Sequence, residues 1–451
     1  MSFPIYLSQI AKLLGCDAPI NDIEISGTAI DSRKVVLGSL FIAIVGENVD
    51  GHDYISAAKK AGASAALVSK ITTDGLAQLV VDDVKEAFAI VAKFWRQQCD
   101  LKVVAITGSN GKTTVKEMVA SILRECGSVI ATQGNLNNQL GVALTLTRLK
   151  PSTDYAVIEM GANHRGEISQ LVDMAQPQIA AINNVGAAHL EGFGDLMGVA
   201  KAKAEIYLGL VENGVGVINA DMEYVDQWKQ VLTNKKIISF ALENEADIKA
   251  KDLQLDTNSS HFLVEFLGEF HYINVPLPGL HNVANALAAI AITHAMHIPA
   301  VAMVKGLASL SAVPHRLQLR TGFNLSRLID DSYNANPSSY QQALATLASF
   351  SGEHWLVLGD FAELGGDSEY IHTQMGIDAK NAHISQLWTV GVQSENATEA
   401  FGEGAQHFDD IATLEIAIKK VITKQVTCLI KGSRFMQLDK LADSLVAQGE
   451  D

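Results

Sequence analysis

The sequence predicts an α/β protein of three domains, each organised around a largely parallel sheet. Short apolar strands alternate with amphipathic helical stretches along most of the chain, the pattern of strand–helix–strand crossovers. One of those strands runs at residues 106–114 into a glycine-rich turn that opens a helix. A chain of 451 residues also exceeds what one hydrophobic core usually organises.

The first block, residues 1–100, is a small α/β unit. Leu7, Ile10, Ala11 and Leu14 recur at helical spacing, and Gly15 suits the end of that helix. A strand is expected at SLFIAIVG (39–46), a helix near 53–61, a strand at AALV (65–68) and a helix over 83–98. On the last helix Val84, Ala87, Phe88, Val91, Phe94 and Trp95 share one apolar face.

The second block, residues 101–314, is larger, with strands expected at 102–108, 155–161, 178–186 and 214–220. Within 246–277 the run HFLVEFLGEFHYINVPL alternates in character, which predicts an antiparallel edge, and a helix near 281–297 follows. The third block, residues 315–451, places strands at 327–332, 354–360, 386–391 and 427–432 between helices at 337–349, 369–381, 409–420 and 437–447. That is a second, smaller doubly wound sheet of Rossmann type.

Composition narrows the class. Apolar residues make up 48% and charged residues only 19%, so there is ample material for buried cores. The net charge of −16, from 34 basic and 50 acidic residues, opposes a broad grip on nucleic acid or an anionic membrane. It does not oppose a nucleotide, whose phosphates are held locally by backbone N–H groups and a few cations. No apolar run approaches the roughly 20 residues that span a bilayer, and the N-terminus lacks the features of a secretion signal. Cys16, Cys99, Cys126 and Cys428 are scattered without metal-like spacing. These features predict a soluble cytoplasmic protein with reduced thiols, with neither a nucleic-acid partner nor membrane insertion.

The strongest local signal is ITGSNGKTTVKEMVASIL, beginning at Ile106. Glycines let backbone N–H groups close around phosphate oxygens where a Cβ would obstruct them. Lys112 supplies a cation to the outer phosphates, and the Thr113 hydroxyl is placed for Mg²⁺. Nucleotide contacts are therefore expected from Thr107, Gly108, Ser109, Asn110, Gly111, Lys112, Thr113 and Thr114. The loop departs from the commonest pattern, since Ile106 stands where a glycine is usual. A plain strand–turn–helix is the competing reading.

The loop TGSNGKTT resembles the ATP loop of the Mur ligases and of folylpolyglutamate synthetases, and further motifs follow in the order of the Mur ligase family along the whole chain. Glu159 ends the strand AVIEMG, His189 lies in NVGAAHLEGFG, and Lys203 fits the K-x-x-I-Y ending of VAKAKAEIY. HNVANALAAIA (281–291) contains Asn282, and VPHRLQ (313–318) contains Arg316. The resemblance implies that Glu159 holds Mg²⁺ together with Thr113, that His189 ligates a second metal, and that Lys203 is carbamylated and reaches that metal. It further implies that Asn282 meets the adenine and Arg316 the ATP phosphates. Taken without the family, Glu159 and Asn282 also read as helix-capping residues, His189 as a structural histidine and Lys203 as a solvated helix lysine.

Within the family, DDSYNANPSSY (330–340), VLGDFAELGGDSEYIH (357–372), LIKGSRFMQLD (429–439) and GNLNNQLGVALTL (134–146) resemble the branch that adds D-alanyl-D-alanine. Ala143 departs from it, standing where a proline is common. The implied reaction joins D-alanyl-D-alanine to UDP-N-acetylmuramoyl-tripeptide through an acyl phosphate, with ATP and Mg²⁺, in a monomeric enzyme. Asp331 would meet the ATP ribose, and Tyr333, Asn334 and Asn336 would lie beside the incoming dipeptide. In AIDSRKVVLGSLFIAIVGENVDGHDYI (29–55), Ser32 and Arg33 resemble a uridine-diphosphate site, with Asn135 and Asn138 on the same substrate. Arg33 reads equally as a surface arginine.

On this basis residues 1–100 would bind the UDP sugar, residues 101–314 ATP, and residues 315–451 the dipeptide and part of ATP. A ligase adding a single amino acid is opposed by the absent Asp-Asn-Pro-Arg motif, and folylpolyglutamate synthetase by the separate first block. A nucleotide sensor without turnover should have lost one of Lys112, Thr113, Glu159, His189 or Lys203, and none is lost.

Overall fold

The protein is described by a computed structural model covering residues 5–17, 22–73, 75–187, 190–266 and 268–447. His189, an expected metal ligand, lies outside these residues.

In the first block the helix Leu7–Leu14 ends at Gly15, whose φ of 67° is left-handed and so favours glycine. Four parallel strands follow in spatial order: Gly27–Ala29, Ser39–Ile42, Ala65–Val68 and Ala77–Val80. The helix Val84–Gln97 starts where the Asp83 carboxylate accepts from the backbone N–H groups of Lys85 and Glu86. Its expected face is buried apart from the half-buried Phe94, and Phe88, Val91 and Trp95 share a continuous core with Val103, Val142 and Leu146 of the second block. The Trp95 indole N–H also donates to the Leu149 carbonyl at 3.0 Å, so the two blocks are packed together.

The central sheet has nine strands, in the order Glu269–Val275, Ser260–Phe266, Ile248–Leu255, Lys236–Ala241, Val215–Asn219, Ile179–Ile182, Lys102–Thr107, Tyr155–Glu159 and Val129–Ala131. Its first two members form the antiparallel edge that the alternating sequence predicts, and the remainder is parallel. The phosphate-loop helix, Lys112–Arg124, is packed under the helices Leu280–Ala295 and Ala300–Ala308. In the third block six strands run Gln318–Thr321, Arg327–Asp331, Val426–Lys431, Glu353–Gly359, Gln386–Val390 and Ala405–Phe408, all parallel except the first. The last strand in the chain, Val426–Lys431, inserts between the second and fourth of that order. The loops at the carboxyl ends of these strands therefore border a crevice where parallel sheets bind ligands.

The expected strands and helices recur with boundaries shifted by a few residues. The alternation did not reveal the short strands Gly27–Ala29, Ala77–Val80, Val129–Ala131 and Gln318–Thr321, nor Lys236–Ala241, Ala405–Phe408 or the helix Glu395–Phe401. Among the described residues no helix is long and apolar enough to cross a membrane.

Gly306 lets the helix Ala300–Ala308 pack closely on the helix Lys112–Arg124. A Cβ there would lie 2.4 Å from the Ile122 Cα and 2.6 Å from its backbone nitrogen. Overpacking costs typically ~1–3 kcal/mol and should outweigh the ~1 kcal/mol of helix propensity that alanine adds. Gly306→Ala is therefore expected to lower the urea midpoint of unfolding, and a midpoint at or above that of the unaltered protein would contradict this packing.

Candidate active site

A cleft of about 1300 Å³ runs between the second and third blocks and reaches the edge of the first. Its floor is the turn after the strand Lys102–Thr107. Gly111 has φ 73°, and a Cβ on it would lie 2.4 Å from the Asn285 Oδ1 and 2.8 Å from the Asn183 Nδ2. Glycine is thus required twice, by conformation and by space. Asn183 Nδ2 donates to the Asn110 carbonyl at 3.0 Å and to Asn285 Oδ1 at 2.8 Å. Asn184 Nδ2 donates to the Asn110 carbonyl at 3.0 Å, while its Oδ1 accepts from the Asn110 backbone N–H at 2.8 Å. These asparagines pin the loop from behind.

Lys112 folds back over the turn, donating from Nζ to the carbonyls of Gly108 at 2.8 Å and Ser109 at 3.4 Å. Burial pushes its ammonium below the ordinary lysine value; Glu159 opposes that shift and Arg316 adds to it. Thr113 Oγ1 donates to Glu159 Oε2 at 2.9 Å, and Asn137 Nδ2 donates to Glu159 Oε1 at 2.8 Å. Both carboxylate oxygens are therefore held, and Glu159 is only 2% exposed. A hydroxyl beside a carboxylate is a set of hard oxygen donors suited to Mg²⁺.

Lys203 is 2% exposed on the helix Leu196–Ala204, so it is not a solvated lysine. Burial, reinforced by Lys112, holds its ammonium well below the ordinary value.

The third block contributes the opposite wall. Arg316 stacks over the Tyr333 ring with its guanidinium carbon 4.2 Å from the centroid, and Arg434 lies 5.4 Å from the same ring. Lys431 Nζ donates to Asp331 Oδ2 at 2.5 Å and to the Asn334 carbonyl at 3.3 Å, while Asp331 Oδ1 accepts from the Leu317 N–H at 3.2 Å. One step along the strand, the fully buried Asp330 accepts from Arg320 at 3.0 Å and pairs with His315 Nδ1 at 2.8 Å. The chain enters the third block through this knot, with left-handed φ at His315 (60°) and Leu317 (47°).

The two walls touch. Asn110 Nδ2 donates to the Ser338 hydroxyl at 2.5 Å, and Asn336 Nδ2 donates to Asn110 Oδ1 at 2.8 Å. Asn336 also caps the helix Pro337–Ala348 by accepting from the Ser339 N–H.

The cleft brings together Ser109, Asn110, Gly111, Lys112, Thr113, Thr114, Glu159, Asn282, Arg316, Asp331, Tyr333, Asn334 and Asn336, with Asn135 and Asn138 at its far end. Asn282 is buried, donating to the Pro278 carbonyl and accepting from Asn285. Asn138 caps the helix Gln139–Leu146. Thr107 and Gly108 do not line the cleft; the Thr107 hydroxyl is turned to the Met160 carbonyl at 2.8 Å. Nor do Ser32 and Arg33, and the exposed Arg33 pairs with Asp31 at 2.9 Å, its own neighbour in a short 3-10 turn. That local pair holds the Asp31 carboxyl at about 2. Asn137, Asn183 and Asn184 were not expected; an asparagine in a loop carries no motif until its partner is known.

Residues 24–96 match the catalytic domain of the Mur ligase family, residues 106–293 the Mur ligase middle domain, and residues 315–434 the Mur ligase glutamate ligase domain. The UDP-N-acetylmuramoyl-tripeptide–D-alanyl-D-alanine ligase of Escherichia coli is 43% identical over 448 residues, covering 99% of each chain. The ligase of the same name from Bacillus subtilis is 34% identical, covering 94% of this chain and 93% of its own. A crystal structure of MurF from Acinetobacter baumannii superposes with a TM-score of 0.91 at 32% identity, covering 98% of this chain and 99% of that one. The MurF ligase of Thermotoga maritima in complex with ADP gives 0.81 at 26% identity, covering 92% and 96%.

Lys431 is 1% exposed, and removing one partner of a buried pair costs about 3 kcal/mol because the other charge is left uncompensated. Lys431→Met should lower unfolding stability by about that amount. Adding Asp331→Asn should recover part of the loss in the same denaturant titration; a loss that the second change leaves untouched or deepens would argue against the pair.

Proposed function

The chain belongs to the Mur ligase family, and from that membership we propose that it joins D-alanyl-D-alanine to UDP-N-acetylmuramoyl-tripeptide in peptidoglycan precursor synthesis, with ATP as the second substrate. The observation that carries this reading is the single cleft shared by the phosphate loop, the Thr113–Glu159 pair and the Tyr333–Asn336 loop. In this reading residues 1–100 take the UDP sugar, residues 101–314 ATP, and residues 315–451 the dipeptide together with part of ATP. The reaction belongs in the cytoplasm, and the enzyme acts as a monomer.

The tripeptide carboxylate attacks the γ-phosphorus of ATP, giving an acyl phosphate and releasing ADP. The dipeptide amine then attacks the acyl carbon; phosphate leaves and the amine loses a proton, completing the amide. Such chemistry depends on positioning and charge neutralisation more than on covalent help from the protein. The N–H groups of the phosphate loop and Lys112 hold the phosphates, and Lys112 leaves its present carbonyl partners to do so. Asn282 reads the adenine, Asp331 the ribose, and Arg316 the phosphates from the opposite wall. Tyr333, Asn334 and Asn336 border the amine substrate, and Asn135 and Asn138 border the acceptor. Asn336 does this by holding the loop, since its side chain is committed to Asn110 and the helix cap. Thr113 and Glu159 would hold Mg²⁺, which neutralises charge on the phosphates when bound.

Lys203 fits carbamylation. Burial lowers the proton affinity of its amine, and an unprotonated amine adds CO₂ and releases a proton to give a carbamate anion, which suits a second cation shared with His189, whereas an ammonium would repel it.

Phosphate release with ATP, Mg²⁺ and UDP-N-acetylmuramoyl-tripeptide is expected to depend on D-alanyl-D-alanine and to yield the UDP-pentapeptide mass. Release only with a single amino acid and a UDP-dipeptide acceptor would reassign the substrate. Protein in ¹³C-bicarbonate should show a carbamate carbon resonance that Lys203→Arg abolishes, together with a loss of activity of about 100-fold. A spectrum unchanged by the substitution would remove the carbamate from this account.

A further inference from the structure

We propose that Lys116 is a positioning residue for the metal-binding carboxylate, acting through Thr132. The inference rests on the Mg²⁺–ATP reading of the cleft given above. Lys116 lies one helical turn beyond Lys112 on the phosphate-loop helix but does not line the cleft, and it is 1% exposed. Its Nζ donates to the Thr132 carbonyl at 2.7 Å and pairs with Glu117 at 2.8 Å. Thr132, itself 1% exposed, directly follows the edge strand Val129–Ala131, and its Oγ1 accepts the Glu159 backbone N–H at 2.9 Å.

The segment that starts at Thr132 then returns to the same glutamate. Asn137 donates to Glu159 Oε1 at 2.8 Å, and its carbonyl accepts the Gly161 N–H at 2.9 Å. Glu159 is thus held at one carboxylate oxygen by Thr113, at the other by Asn137 and at its backbone by Thr132. Two of the three contacts come from the 132–137 segment, and Lys116 ties its root to the helix that carries Thr113. Thr113 and Lys116, three residues apart on neighbouring positions of that helix, close the circuit on Glu159 from both sides.

Packing alone does not account for a lysine here. A buried ammonium is expensive to desolvate, and an apolar side chain of similar length would fill the space at lower cost. Besides its pair with the neighbouring Glu117, which lies on the same helix, the ammonium adds a directed bond to the Thr132 carbonyl, which fixes the edge-strand end relative to the phosphate loop. Glu159 must present an oxygen to a cation whose octahedral geometry tolerates little displacement, so that fixation has a use.

The test is the thermal shift produced by a nonhydrolysable ATP analogue, titrated with Mg²⁺, for Lys116→Met, Lys116→Arg, Thr132→Val and the unaltered protein. Lys116→Met is expected to raise the half-saturating Mg²⁺ concentration about tenfold, with Lys116→Arg recovering part of that shift. Thr132→Val should move it in the same direction, and it carries the test if Lys116→Met does not fold. A lower melting temperature without ligand, combined with an unchanged Mg²⁺ midpoint in both variants, would overturn the proposal and leave Lys116 a packing residue. If the unaltered protein shows no Mg²⁺-dependent stabilisation by the analogue, the nucleotide reading itself fails, and that result is distinct from the first.

Discussion

The arrangement of the cleft depends on one turn of backbone, Gly108 to Lys112, which must leave the N–H groups at the start of its helix open to anions while the N–H groups of Ser109 and Asn110 are held from behind by Asn184. Gly111 meets the first demand by adopting a left-handed conformation where any Cβ would strike Asn285 and Asn183. The second demand is met by side-chain amides, because an asparagine offers a donor and an acceptor to a loop that has no ladder to satisfy it. Asn183 and Asn184 saturate the Asn110 carbonyl, and Asn219 in turn donates to the Asn183 carbonyl at 2.9 Å. The turn is a rigid shape before any phosphate arrives, so less ordering remains to oppose binding.

Rigidity in the turn also gives the third block something definite to touch. Asn110, Asn336 and Ser338 form a small ring of side-chain bonds between the phosphate loop and the first turn of the helix Pro337–Ala348. The same helix start carries the loop with Tyr333 and Asn334, which Lys431 and Asp331 tie to the sheet. A movement of the third block would therefore break contacts with the nucleotide loop and shift the Tyr333 wall together. Such coupling of two substrate surfaces through one interface is what a two-step transfer requires, since the amine must arrive where the activated carbonyl already lies.

The sequence made the parallel architecture legible because buried parallel strands read as short apolar runs between helices, as at 102–107 and 426–431. Strands of two or three residues, such as Val129–Ala131, do not rise above that background, yet this one leads directly into Thr132, beside Glu159. The phosphate loop, Glu159 and the Tyr333–Asn336 segment were legible as motifs and meet in space. Ser32 and Arg33 were legible as a motif too, but a guanidinium that finds its partner two residues away is spent locally, and the cleft does not include it. Asn137, Asn183 and Lys116 could not be read in advance, because their roles lie in contacts between segments 22 to 102 residues apart or through a carbonyl.

A protein of net charge −16 binding two phosphorylated substrates must concentrate its cations where the phosphates go. Lys112, Arg316, Lys431 and Arg434 all line the cleft, and close packing of cations has a consequence. Arg316 adds to the lowering of the buried Lys112 ammonium, and Lys112 in turn adds to that of buried Lys203. Burial is the larger cause of that lowering at Lys203, and the cation that receives the nucleotide adds to it. Only an unprotonated amine can add CO₂, so the burial of Lys203 and the cationic loop beside it both favour the expected carbamate.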